Sequence, residues 1–240
     1  MIYSRAIWFL LFTCLFISCT YAAWIVLAKN DFLYPSGYKL LHIDKTINEF
    51  APKNRYRHSF EMTDTHEHFR IFSEIVFGVT SDAESLAAIE YAAPDGQKLG
   101  VFLTDAEVTH LRDVADLISK VNVLGISSLA ALVLLVFVQR HQKVAMPPLV
   151  KSHLIAFAIL ILLTCVIVLS GAERVFYSAH EWIFPKDHQW FFYYEESLMT
   201  TLMKAPDLFG FIAAALLILS ITFYLVSLYS LKRLFAQRVA

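Results

Sequence analysis

Four apolar runs constrain this chain more than any other feature of its sequence. They cover residues 6–28, 121–138, 154–172 and 209–231. A helix needs about 20 mostly apolar residues to cross the hydrocarbon core of a bilayer, where every backbone amide must be satisfied within its own segment. Each run is of that order. The sequence as a whole is 58% hydrophobic and only 17% charged, which places the chain in the membrane class. The expected fold is an all-α membrane protein with four transmembrane helices and a small, mainly helical extracytoplasmic domain between helices 1 and 2.

Charge sets the expected topology. Outside blocks 29–120 and 173–208 there are seven cations (Arg5, Arg140, Lys143, Lys151, Lys232, Arg233 and Arg238) and no acid. The two blocks hold all 21 acidic residues against thirteen cations. Positive charge is retained in the cytoplasm, so both termini, the 139–153 loop and the 232–240 tail are expected inside. Residues 29–120 and 173–208 are then expected outside. Nothing in this distribution points to nucleic acid. Cys14, Cys19 and Cys165 all fall in the expected spans, where they read as small packing residues. The outer blocks contain no thiol. Phe16 to Cys19 faintly resembles a lipoprotein cleavage box, but the apolar run around it is too long for a signal segment and reads as an uncleaved anchor.

The outer block carries several local signals. Residues 30–38 read as an irregular interfacial segment, and the alternation over 56–62 reads as a short strand. Residues 69–77 read as a helix, with helix-like pattern continuing over 81–91, and Pro94-Asp95-Gly96 reads as a turn. Thr104 and Glu107 form a capping box, so a helix is expected to start there and run into the second span. Along it, Glu107, His110 and Asp113 recur at intervals of three. His110 lies ten residues before Lys120, about 15 Å at the helical rise.

The second outer block is denser in chemistry. Residues 173–206 contain nine aromatics together with His180 and His188. Aromatic rings favour the membrane interface, so Trp182, Phe184 and Trp190 read as a belt and, secondarily, as a wall for an acyl chain. His188, beside Pro185 and Trp190, reads as an interfacial anchor. Histidine is the side chain that serves as acid and base near neutrality. His110 and His180 are therefore the candidate catalytic pair, each expected near the outer end of a span. Asp113 and Glu107 lie near the first, and Glu181 and Glu173 near the second. Such carboxylates fix an imidazole tautomer or stabilise its cation. A non-enzymatic accessory or lipid-binding scaffold is the second possibility. His66-Glu67-His68, with His58 upstream, offers a third, a metal-dependent hydrolase, but that motif lacks a third ligand at a diagnostic spacing. No serine-hydrolase elbow, zinc-protease motif or phosphate loop is present, and no cofactor or metal is called for.

Two segments, TDAEVTHLRDV before the second span and FYSAHEWIFP after the third, are followed by Trp190 and by Ala205-Pro206 before the fourth. In this order they resemble a family of four-span bacterial membrane proteins, the lipoprotein intramolecular transacylases. Leu111 and Ala115 stand where that family tends to have Met and Lys. The resemblance implies that the histidine of each motif, here His110 and His180, is catalytic. It also implies a substrate, a diacylglyceryl lipoprotein N-terminus in the bacterial cytoplasmic membrane, and a reaction. An sn-2 acyl chain would pass to the cysteine α-amine without a covalent enzyme intermediate. His180 is expected as the base and His110 as the oxyanion partner, with the reverse assignment open.

Overall fold

The computed structural model describes residues 2–149, 153–154, 158, 161–162, 165–166 and 169–236. The described chain is mostly helical. It divides into two compact units, one made of Met1–Val26, Val121–Ala172 and Ala214–Ala240, the other of Leu27–Lys120 and Glu173–Ala213.

Three helices among the described residues are long and apolar enough to cross a membrane: α1 (Ile2–Ala28), α5 (Asp105–His141) and α8 (Asp207–Ala236). Nine of the nineteen residues of the expected third span, 154–172, lie outside the described residues. In the first unit Trp8, Leu11, Phe12, Leu15, Cys19 and Leu231 form a buried cluster. Gly125 lets α5 approach α1: a Cβ there would sit 2.2 Å from the Tyr21 ring. Ser128 Oγ donates to the Cys14 carbonyl at 3.2 Å across the same contact. Leu124, Ile126 and Val133 on α5 and Ile218, Leu225 and Val226 on α8 are exposed. An apolar surface of this extent is stable against lipid tails and a liability in water.

The second unit has its own core. Helices α2 (Tyr34–Leu40), α3 (Ile43–Phe50) and α4 (Thr65–Thr80) are followed by a two-stranded antiparallel hairpin, β1 (Glu90–Ala92) with β2 (Lys98–Val101), and by the start of α5. Later come α6 (Ala172–Ile183) and α7 (Leu198–Met203). Asp64 caps α4 by accepting from the Glu67 amide at 2.8 Å. The capped helix then turns Ile71, Phe72, Ile75 and Val76 inward. Tyr34 stacks on Phe72 with ring centroids 3.8 Å apart, and its hydroxyl donates to the Leu202 carbonyl at 2.7 Å. Lys204 Nζ donates to Leu41 O at 2.7 Å, and the Arg55 amide to Glu195 O at 2.8 Å. The late segment is thus sewn to the early one.

Several local expectations are corrected. The 30–38 stretch is irregular only in its first part, where Asp31, Phe32 and Leu33 have φ of 46°, 50° and 60°; from Tyr34 it is the helix α2. No strand forms over 56–62: Asn54 Oδ1 accepts from the amides of Tyr56 and Arg57, and a 3-10 turn follows at Phe60–Met62. The chain after Ser81 is a 3-10 turn, Ala83–Ala88, and then β1 rather than a continuing helix, so the 29–120 block is not wholly α.

Gly78 is where α4 meets that turn. A Cβ at 78 would lie 2.3 Å from Leu86 Cδ2 and 2.7 Å from Leu86 Cγ, and Leu86 is fully buried. Gly78→Val should therefore destabilise the protein by about 2 kcal/mol through overpacking, read as a lower melting temperature of the purified protein. Gly96→Ala, at an open position with a positive φ, should cost less.

Candidate active site

His110 and His180 come together within the second unit. Their ring centroids are 6.2 Å apart with planes inclined at 37°. His110 sits on α5 two turns inside its capping box. There the Thr104 amide donates to Glu107 Oε2 at 2.6 Å, and the Glu107 amide to Thr104 Oγ1 at 3.4 Å. His180 sits on α6, which begins after Gly171, a glycine with φ of 85°.

Aromatic rings enclose the pair. Phe184 lies 4.8 Å from His110 and 5.2 Å from His180 by centroid. Phe176 is 4.0 Å and Trp190 5.1 Å from His180, and Phe192 is 6.2 Å from His110. Phe176 and His180 lie one turn apart on one face of α6, and Phe184, one residue past its end, continues the same spacing. That spacing is the sequence signal that identifies Phe176, which reasoning from composition overlooked. Trp182 falls on another face, is 86% exposed, and has no ring contact with either histidine among the described residues. Phe184 and Trp190 are the expected wall residues that reach the pair.

The electrostatics make both rings neutral near pH 7. Burial is the main cause for each. It pushes His110, which is 8% exposed, down to about 4, with the neighbouring His180 adding to the effect and Asp113 opposing it. His180 is lowered as well, and the Phe176 carbonyl partly offsets this. His180 Nδ1 lies 2.8 Å from that carbonyl. A carbonyl only accepts, so Nδ1 carries the proton and Nε2 keeps its lone pair. Among the described residues, His110 Nδ1 is buried without a hydrogen-bond partner.

The expected carboxylates are engaged elsewhere. Asp113 Oδ2 accepts from His188 Nδ1 at 2.7 Å, so it holds His188 rather than His110. This bond raises His188 above its ordinary pKa. Glu107 is buried. Its Oε1 accepts from Ser197 Oγ, while Oε2 takes the Thr104 amide and hydroxyl. Burial raises its carboxyl above the usual carboxylate range. Glu173 pairs with Tyr177, and Glu181 is exposed. Glu107→Ala should strand three donors and lower stability by about 2–3 kcal/mol, measured by thermal unfolding, with Glu107→Gln intermediate.

The weaker alternative, a metal cluster of His58, His66 and His68, is not assembled among the described residues. His66 and His68 lie on α4 rather than on a strand, so their side chains diverge. His68 is buried, with Nδ1 2.9 Å from Tyr38 Oη and Nε2 2.8 Å from Thr63 Oγ1. Thr63 already donates to Phe60 O, so it accepts from Nε2–H, and Tyr38 donates to Nδ1. His68 is a neutral core residue.

Fold and site together define a multi-pass membrane protein with a buried imidazole beside a half-buried one among aromatic rings. The sequence model of the lipoprotein intramolecular transacylase family matches residues 7–206, and this chain belongs to that family. Solved structures with the same fold include the membrane-integral lipoprotein intramolecular transacylase of Bacillus cereus, determined in meso. One structure is 16% identical with a TM-score of 0.69, covering 98% of this chain and 96% of that one. Two histidine variants of the same protein, one to arginine and one to alanine, give TM-scores of 0.69 and 0.68 at 16% identity. They cover 98% of this chain and 93% and 94% of their own. No curated protein matches.

Proposed function

We propose that this protein moves the sn-2 acyl chain of a diacylglyceryl-cysteine to the α-amine of the same cysteine, releasing a lyso-form lipoprotein. The observation that carries this reading is the pair of imidazoles 6.2 Å apart, set among aromatic rings. A free α-amine has a pKa of about 8 and must lose a proton as it attacks. His180 Nε2 takes that proton as the amine nitrogen bonds to the ester carbonyl carbon. His110 faces the oxyanion of the tetrahedral intermediate as a neutral donor. Its unpartnered, buried Nδ1 is the atom such a substrate would satisfy. The intermediate then collapses: the bond to the glycerol oxygen breaks, and the imidazolium returns its proton to that oxygen. Donor and acceptor sit in one molecule, so proximity supplies much of the acceleration. The scheme uses no cofactor or metal.

The charge asymmetry supports a topology with four spans at 6–28, 121–138, 154–172 and 209–231. Both termini and the 139–153 loop are then cytoplasmic, and 29–120 and 173–208 form the extracytoplasmic, active face. The partners are a diacylglyceryl lipoprotein N-terminus and the bilayer of the bacterial cytoplasmic membrane.

The reaction is an isomerisation, so the mass of the lipopeptide does not change and fragmentation is needed to see it. The test mixes a diacylglyceryl-cysteine lipopeptide with a second one whose acyl chains and peptide are both deuterated, and incubates them with the purified protein. The expected product is an N-acylated cysteine whose chain carries the label of its own peptide. Crossed labels sink the intramolecular step. Free fatty acid alone indicates a hydrolase, and no turnover indicates a scaffold.

A further inference from the structure

The loop between α6 and Phe192 supplies Phe184, Trp190 and Phe192 to the enclosure, yet residues 184–191 have no regular secondary structure beyond turns. Its other polar bonds stay within the segment or reach back to α6. Phe184 N donates to His180 O, His188 N to Pro185 O, and Gln189 Nε2 to Phe191 O. Among the described residues, one polar contact ties the loop to a distant element. His188 donates from Nδ1 to Asp113 Oδ2 at 2.7 Å, across 75 residues of sequence. Asp113 lies one turn beyond His110 on α5. The contact therefore anchors the loop beside one of the two imidazoles.

We propose that the Asp113–His188 ion pair is a latch that holds the 184–192 loop closed over the imidazole pair, and so decides whether the acyl group passes to the amine or to water. The proposal rests on the transacylase reading. Both are positioning residues that act through Phe184, Trp190 and Phe192. Water competes with the amine for the same carbonyl carbon: its oxygen bonds to that carbon, the glycerol oxygen leaves with a proton, and a free fatty acid results. The base at His180 Nε2 would activate water as readily as it accepts a proton from the amine. Selectivity then depends on excluding water while the amine is in place. A charge-assisted bond from an otherwise irregular loop to a rigid helix suits that purpose. The carboxylate also favours the charged form of His188, with Asp187 next to it acting in the same sense.

The test uses the full-length protein in lipid nanodiscs with a diacylglyceryl-cysteine lipopeptide. The readout is the ratio of free fatty acid to N-acyl product, alongside hydrogen exchange across 184–192. Asp113→Asn and His188→Gln should each raise the fatty-acid share about fivefold and speed exchange in 184–192, leaving exchange in Phe176–Ile183 unchanged. The swapped protein, Asp113→His with His188→Asp, should recover part of both effects. An unchanged ratio in both single variants, or unchanged loop exchange, overturns the latch. If the wild-type protein forms no N-acyl product, the transacylase reading falls, and loop exchange alone then decides whether the latch exists.

Discussion

Alanine at position 180 should cut the rate of N-acyl product formation about a thousandfold, and alanine at position 110 about a hundredfold to a thousandfold. The larger loss belongs to His180 because it is the better proton acceptor. Its Nδ1–H is committed to the Phe176 carbonyl, a bond that favours the protonated ring and leaves Nε2 open. His110 is held down to about 4 by burial and by its neighbour. It is a poor base at neutrality and a serviceable neutral donor. No carboxylate stands ready to replace either: Asp113 is bonded to His188, Glu107 to Ser197 and Thr104. Initial rates with a defined lipopeptide check this, at variant levels matched by melting temperature. His180→Gln, which keeps a donor but no base, should be as inactive as His180→Ala. A His180→Ala protein within tenfold of wild type would remove the base from the scheme.

Acidification should stop the reaction and loosen the fold in the same window. His110 and His68 both fall to about 4, each chiefly through burial. In the unfolded chain an imidazole takes a proton at about 6.5. The folded-state value is depressed, so the stabilisation is complete above pH 6.5 and is lost as pH falls from there toward about 4. Each residue accounts for about 3 kcal/mol over that interval. His68 is tied to Tyr38 and Thr63 in one neutral tautomer, which gives its protonation a structural cost. The melting temperature should fall steeply as pH drops below 6.5. His68→Gln should flatten part of the slope. Activity should drop tenfold per pH unit once pH passes below the lowered value of His180, with the onset under 6.5. A melting temperature independent of pH across this range contradicts the assignment of both rings as buried and neutral.

The features legible in sequence were those written in local pattern. The apolar runs at 6–28 and 209–231 lie within long helices because length and hydropathy leave no other structure. The capping box at Thr104 formed because both partners sit three residues apart. Distant pairings were not legible. The carboxylate expected to serve His110 belongs to His188, which lies 75 residues away. The strands of the hairpin are three and four residues long, too short for alternation to register. The spacing of His66 and His68 says nothing of their separation in space; Asp64, the cap that starts α4, puts them on a helix where they diverge. Trp182 was grouped with Phe184 by composition, whereas the helical period separates them: residue 184 shares the face of His180 and residue 182 does not.

The N-terminus of a resident lipoprotein, fragmented in the mass spectrometer, tests the central claim most directly. Membranes would be compared from cells carrying the wild-type protein, His110→Ala or His180→Ala at matched levels. The account requires an acyl chain on the cysteine nitrogen and a single chain on the glycerol with the wild type. With either variant it requires two chains on the glycerol and a free amine. Lyso-form lipoprotein at wild-type levels in the His180→Ala membranes would show that the paired imidazoles do not perform the transfer.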